Sequence, residues 1–141
     1  MEDKRMMKVT VDGKEYAYPH GTPYRVIAAD FQDRYPCDIL LVNRGGKLCE
    51  LHKVLDRDCS LKMVTARDKP GIQTYERSAV FLTLKAFYDV AGRENVERIS
   101  VEFSLSNALF LRARGGFVLD QALLERVEER MRELSAQALP I

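Results

Sequence analysis

The stretch Met7-Lys-Val-Thr-Val-Asp-Gly-Lys-Glu-Tyr-Ala-Tyr18 decides the fold of the first half of the chain. Apolar and polar residues alternate on both sides of Asp12-Gly13, which is the pattern of two half-buried strands joined by a tight turn. A helix of about three turns is expected next, with Thr22 as its N-cap and Pro23 at its first position. The stretch therefore predicts a β-hairpin followed by a helix.

Three more strands are expected after that helix. Residues 39–43 form a short apolar run, the glycines of residues 44–46 turn the chain, and residues 47–51 alternate back as the partner strand. A last strand is predicted near residues 60–65. The order ββαβββ is that of a β-grasp fold, which we place at residues 6–66.

A helix over residues 74–90 dominates the rest of the chain. It is apolar on almost every side, no Gly or Pro interrupts it, and Thr74 can serve as its N-cap. Such a helix should be covered by other elements. The preceding residues 68–71 include Pro70-Gly71, which favours a linker, so a second domain is predicted over residues 67–141.

A β-hairpin and a second helix complete this segment. Residues 99–105 alternate apolar and polar, and residues 108–114, after Asn107, are expected to be the antiparallel partner. Asp120 can cap an amphipathic helix, with Leu119 before the cap packing on Leu124. Its apolar stripe is expected at Leu124, Val127, Met131, Leu134 and Ala138.

These elements offer too little apolar surface to cover the helix over 74–90. We therefore expect either that residues 67–141 are the first half of a larger domain in a truncated chain, or that a homodimer covers this helix. The whole chain is then α+β, with a β-grasp domain before a partial helix–hairpin–helix domain.

Composition excludes several classes of protein. The 141 residues carry a formal charge of +1 and are 46% hydrophobic, so a globular protein without a strong overall field is expected. The first residues lack the apolar region of a secretion signal, and no run is apolar enough to span a membrane, which predicts a cytoplasmic chain without a membrane partner. Three cysteines without a CxxC pair favour ordinary thiols: Cys37, Cys49 and Cys59.

No catalytic or cofactor-binding residue is predicted. Gly45-Gly46-Lys47-Leu48 lacks the upstream glycine and the Ser or Thr of a phosphate-binding P-loop. His20 and His52 have no partner at metal-ligand spacing and are assigned structural roles. We therefore expect that this chain is not itself an enzyme and holds no cofactor.

Two parts of the chain resemble known domains. Gly21-Thr-Pro23, Val42-Asn43 and Gly46-Lys47-Leu48 resemble the TGS domain, a ubiquitin-like module, and the resemblance implies a binding or regulatory role. Residues 77–82, Arg-Ser-Ala-Val-Phe-Leu, resemble the start of the editing-type second domain of threonyl-tRNA synthetases. The two zinc-site histidines of that signature correspond to Arg77 and Phe81, so the resemblance implies that the zinc ligands are lost.

The order and spacing of both parts resemble the N-terminal region of bacterial uridine-kinase-like proteins. That resemblance implies a noncatalytic regulatory or binding region, partnered in the same polypeptide by a C-terminal P-loop domain that phosphorylates uridine with ATP and Mg²⁺. The alternative is a degenerate synthetase editing-type module that binds tRNA or other RNA. Candidate anion or RNA contacts are Arg77, Arg44, Lys47 and Lys53.

Overall fold

Seven β-strands and three α-helices form in the residues that the computed structural model describes, which are 5–106 and 108–139. The chain divides into a first unit that ends at Glu76 and a second unit that begins at Arg77. The boundary expected between residues 66 and 67 stays a prediction. In chain order, the elements are β1 (Met6–Val11), β2 (Lys14–Pro19), α1 (Tyr24–Phe31), β3 (Ile39–Arg44), β4 (Lys47–Glu50), β5 (Cys59–Thr65), α2 (Lys69–Ala91), β6 (Val96–Leu105), β7 (Ala108–Gly115) and α3 (Gln121–Ala136).

The first unit is built on a mixed five-stranded sheet with the strand order β2-β1-β5-β3-β4. Strands β1 and β5 pair in parallel, and the other neighbours are antiparallel. This arrangement confirms the predicted α+β class and the β-grasp order. The buried core side chains come from the sheet, from α1 and from the loop before β5; they include Val9, Val11, Tyr24, Ile27, Phe31, Val42 and Leu55.

The first hairpin forms as predicted. Val11 pairs with Lys14, so the loop consists of Asp12 and Gly13 alone. Both loop residues have positive φ, 50° and 78°, which is the backbone that a two-residue turn of primed type requires. The Asp-Gly pair thereby sets the register of β1 and β2.

The predicted start of α1 is wrong by one residue. Pro23 occupies the N-cap position with extended backbone, and α1 begins at Tyr24. The hydroxyl of Thr22 donates to the carbonyl of Pro19 at 2.7 Å instead of capping the helix. Its hydrogen bond closes the turn after β2, so Thr22 orients the chain that enters α1.

The predicted linker at residues 68–71 is wrong, because α2 begins at Lys69. Pro70 is compatible with the first turn of a helix, where its missing N–H has no intrahelical acceptor to lose. Gly71 is buried, and a Cβ there would lie 1.9 Å from the carbonyl oxygen of Thr65. Close packing therefore accounts for this glycine, and Thr74 lies inside the helix instead of capping it.

The second unit contains the β6–β7 hairpin, α3 and the part of α2 that follows Glu76. Its core brings together side chains of these elements: Ala86, Phe87, Val96, Leu123, Val127 and Leu134. Phe87 also packs edge-to-face on Phe117, with ring centroids 5.1 Å apart. The antiparallel hairpin confirms the predicted strand pair, while Asn107 lies outside the described residues.

Helix α3 is capped as predicted, and Val127, Met131 and Leu134 of its predicted stripe pack in the core of the second unit. The carboxylate of Asp120 accepts a hydrogen bond from the backbone N–H of Leu123 at 2.8 Å. Leu123 is buried, whereas Leu119 and Leu124 are exposed, so Leu123 takes the inward position that was predicted for Leu124. The packing of Leu119 on Leu124 stays a prediction. Neighbouring helix positions differ by about 100° in direction, and the stripe through Val127 includes position 123.

Helix α2 is covered on part of its surface. Ala86 and Phe87 are buried, but Tyr75 is 64% exposed and Phe81 is 57% exposed. These exposures agree with the expectation that the other elements of this chain offer too little apolar surface to cover the helix. In residues 5–106 and 108–139, no helix is long and apolar enough to cross a membrane.

Candidate functional site

Arg77 and Phe81 are both exposed on α2. Their four-residue spacing places them on one helical face, as the resemblance to a zinc-site helix implies. Neither a guanidinium nor a phenyl ring is a usual zinc ligand. Within the described part of the chain, no cluster of three or more His, Cys, Asp or Glu side chains has the arrangement of a metal site.

Phe81 belongs to a groove on the second unit. The groove encloses about 590 Å³ and is lined by Phe81, Leu84, Lys85, Tyr88, Asp89 and Arg93. The apolar members Phe81, Leu84 and Tyr88 follow helical spacing along α2, so they form one stripe. Charged residues of both signs lie beside that stripe.

Asp89 connects α2 to α3 at the rim of this groove. One carboxylate oxygen accepts from Nζ of Lys85 at 2.6 Å, and the other accepts from Nε of Arg130 at 3.0 Å. The hydrogen bond from Lys85, together with that from Arg130, lowers the pKa of Asp89. A carboxylate held ionised by two cations is suited to joining helices and poorly suited to accepting a proton in catalysis.

Arg44 is held by other residues of the first unit. Its Nη1 donates to the hydroxyl of Tyr24 at 3.0 Å and to Oδ1 of Asp56 at 2.7 Å. The hydrogen bond to Tyr24 raises the pKa of Arg44. Because both contacts engage Nη1, the geometry assigns Arg44 a structural role alongside its predicted anion contact.

Lys47 and Lys53 are exposed on the first unit. Lys47 lies opposite Arg44 in the β3–β4 ladder, so the structure brings these two basic residues together. The carbonyl of Lys53 accepts from the N–H of Tyr24 at 2.9 Å, which fixes its backbone beside α1. The roles of both lysines in RNA contact stay predictions, as does that of Arg77.

All three cysteine side chains are at least partly buried. Cys49 is buried, and Cys37 and Cys59 are half-buried, all three as free thiols. Burial raises the pKa of Cys59, which keeps its thiol protonated near neutral pH. A protonated thiol is a weak nucleophile.

One exposed surface of the second unit was not predicted from the sequence. The β6–β7 hairpin turns one face to solvent, and this outward face carries three arginines, a carboxylate and two phenyl rings: Arg98, Glu102, Arg112, Arg114, Phe103 and Phe110. In β7 the residues Phe110, Arg112 and Arg114 alternate with the more apolar inward positions. That period of two was a signal in the sequence, but the bulge in β6 hid the matching residues of the other strand.

No protein-family profile matches the chain. It is 24% identical to the threonine–tRNA ligase of Thermotoga petrophila over 140 residues, which cover 96% of the chain and 21% of that protein. The threonine–tRNA ligase of Chloroherpeton thalassium is 25% identical over 142 residues, and that of Halorhodospira halophila is 24% identical over 130 residues.

The chain thus spans about a fifth of the length of the curated relatives that it matches. These relatives give no support to the uridine-kinase-like part of the resemblance, nor to a transferase domain that uses ATP and Mg²⁺. They do support the synthetase part. Threonine–tRNA ligases are distant homologues of this chain.

Proposed function

We propose that this chain is a noncatalytic module that binds tRNA or a related RNA, derived from an editing-type region of a threonine–tRNA ligase. The observation that carries the proposal is the likeness to these ligases along 96% of the chain. The β-grasp first unit is consistent with the TGS resemblance, and the helix–hairpin–helix second unit is consistent with the editing-type resemblance.

Binding without hydrolysis follows from the side chains on α2. Zinc-assisted hydrolysis needs ligands that hold the metal and leave a position open for water. The zinc-site positions of the resemblance carry Arg77 and Phe81, and Phe81 offers no donor atom. A guanidinium at position 77 is instead a good partner for a phosphate.

The net charge of +1 limits how the module binds RNA. A protein without a strong overall field attracts a polyanion through local patches of basic residues. The arginines and lysines of such patches release counterions when they contact phosphates. Binding should therefore weaken steeply as the salt concentration rises.

A titration of the purified chain with total tRNA at about 50 and about 200 mM salt tests the proposal. We expect saturable binding that weakens with salt, no stoichiometric zinc in the protein, and no hydrolysis of aminoacylated tRNA. Absence of binding at the lower salt concentration would refute the proposed function. Stoichiometric zinc together with deacylation would replace it by an active editing module.

A further inference from the structure

We propose that the outward face of the β6–β7 hairpin binds single-stranded RNA, with Phe103 and Phe110 stacking on bases and the three arginines contacting phosphates. The proposal rests on the proposed function and names the surface and the form of RNA that the module takes. It is independent of Arg77, Arg44, Lys47 and Lys53. Its support comes from the rings, the charges and the shape of this face.

The two rings form an exposed aromatic platform. Phe103 and Phe110 are cross-strand neighbours with ring centroids 4.8 Å apart and ring planes 7° from parallel. They remain 49% and 41% exposed, although phenyl rings in strands usually face a core. Stacking on exposed aromatic rings is how many sheets hold the unpaired bases of RNA.

The positive charges on this face repel one another and so destabilise the hairpin. Arg98 lies directly opposite Arg114, and like charges in that relation destabilise a strand pair. Arg112 lies two residues before Arg114 in β7, so both side chains are on the same face. In the described parts of the chain, no ion pair involves Arg98 or Arg114. A bound polyanion would relieve this repulsion.

Glu102 is the acidic residue of the face, and it is held close to the arginines. The hydroxyl of Ser100 donates to its Oε1 at 2.7 Å, and Nε of Arg112 lies 4.0 Å from the same oxygen. The hydrogen bond from Ser100 lowers the pKa of Glu102, and the positive potential of the three arginines adds to the effect. The face keeps an excess of positive charge beside its rings.

The same features favour a single strand over a duplex. In a duplex the bases are stacked on one another and their faces are closed to a side chain, whereas the phosphates remain accessible. Arginines alone would accept either form. The ring pair is useful only to RNA whose bases are unpaired.

The test uses the full chain and a labelled oligouridylate of about ten nucleotides, free or annealed to oligoadenylate. We expect tighter binding of the free strand. Changing both Phe103→Leu and Phe110→Leu keeps apolar side chains but removes the rings, and should weaken binding of the single strand about tenfold or more. Arg112→Gln and Arg114→Gln should each lower the slope of log affinity against log salt by about 0.7.

Arg132→Gln is the matched control, since this exposed arginine on α3 pairs with Glu128 and lies outside the face. It should leave the affinity and the salt slope unchanged. Each variant is compared with the parent chain by circular dichroism and denaturant unfolding. If the double Leu variant destabilises the hairpin, Phe103→Tyr with Phe110→Tyr restores rings and should restore binding.

The outcomes separate this proposal from the proposed function. If tRNA binds but the ring and arginine variants bind the oligonucleotide as the parent does, the hairpin face is refuted and the proposed function stands. If the chain binds the duplex, or polyglutamate, as tightly as the free oligouridylate strand, the face is also refuted as a site for single-stranded RNA. If neither tRNA nor the oligonucleotide binds, both proposals fail.

Discussion

Gly71 shows how one residue determines where α2 can begin. Its backbone lies against the carbonyl of Thr65, where a Cβ would be 1.9 Å from the oxygen. Gly71→Ala should therefore lower the free energy of unfolding by about 2 to 3 kcal/mol, because the backbone must move to relieve the clash. Denaturant unfolding measures the change.

Gly116→Ala is the control for that substitution. No heavy atom lies within 4 Å of a Cβ at Gly116, and the effect should stay within about 0.5 kcal/mol. Equal effects at the two positions would contradict the packing role of Gly71.

Asp89 is the residue whose charge stabilises the second unit. Its side chain is 22% exposed and accepts from both Lys85 and Arg130. Asp89→Asn should lower the free energy of unfolding at neutral pH by about 1 kcal/mol. Glu133→Gln, which removes a more exposed partner of Arg130, should cost less.

The contribution of Asp89 should depend on pH in one direction. Its pKa is lowered in the folded chain, so the unfolded chain binds the proton more tightly. The stability difference between the parent and Asp89→Asn should be complete above the unfolded pKa of about 3.9 and should disappear as the pH falls through the lowered folded value. A difference that persists at lower pH would contradict the ion-pair explanation.

At the scale of elements, α3 depends on its cap. Asp120 satisfies the N–H of Leu123, a donor that otherwise lacks a partner in the first turn. Asp120→Ala should cost about 1 kcal/mol of unfolding free energy, whereas Asp120→Ser should keep most of the stability. Denaturant unfolding of the two variants measures both changes. An equal loss of unfolding free energy in Asp120→Ala and Asp120→Ser would contradict a stabilising role for the capping hydrogen bond.

Apolar residues of α2 and of the hairpin are buried at some positions and exposed at others. Ala86 and Phe87 of α2 are buried in the core of the second unit, while Phe81 lines a groove and the Phe103–Phe110 pair faces solvent. Apolar composition alone did not predict which of these side chains are buried and which are exposed. The difference depends on where each side chain lies relative to α3 and to the bulge in β6.

At the scale of the whole molecule, we propose that the groove on α2 joins two copies of the chain. Its stripe of Phe81, Leu84 and Tyr88 is apolar, and Phe81 is 57% exposed, so two copies can cover the stripe about a twofold axis. Sedimentation velocity over a range of concentrations should show a dimer that Phe81→Ser weakens. Leu119→Ser, at an exposed position outside the groove, is the control, and a monomer at all concentrations would refute the dimer.

Most of the fold could be predicted from local sequence. The strand alternation, the Asp12-Gly13 turn and the capping aspartate at position 120 are local signals, and each appears in the structure where it was expected. The wrong assignments concern the start of α2, the cap at Thr22 and the place of Leu124 in the inward stripe of α3. Each of these depends on a contact with a distant residue or a neighbouring element.

Less of the candidate site could be predicted. The sequence alone determined the β-grasp order and the near-neutral charge, because these depend on residue identity and short-range periodicity. That Arg77 and Phe81 stand at zinc-site positions stays a prediction from the resemblance. Tertiary structure alone decided that Arg44 is bound by Tyr24 and Asp56, that Phe81 is exposed, and that three arginines and two rings share one face of the hairpin. For Arg44 and Phe81 the physical reason is that partners distant in the sequence, or their absence, set the surroundings of a side chain. For the hairpin it is strand register: a single bulged residue reverses which side chains face solvent, and it forms only when two strands pair.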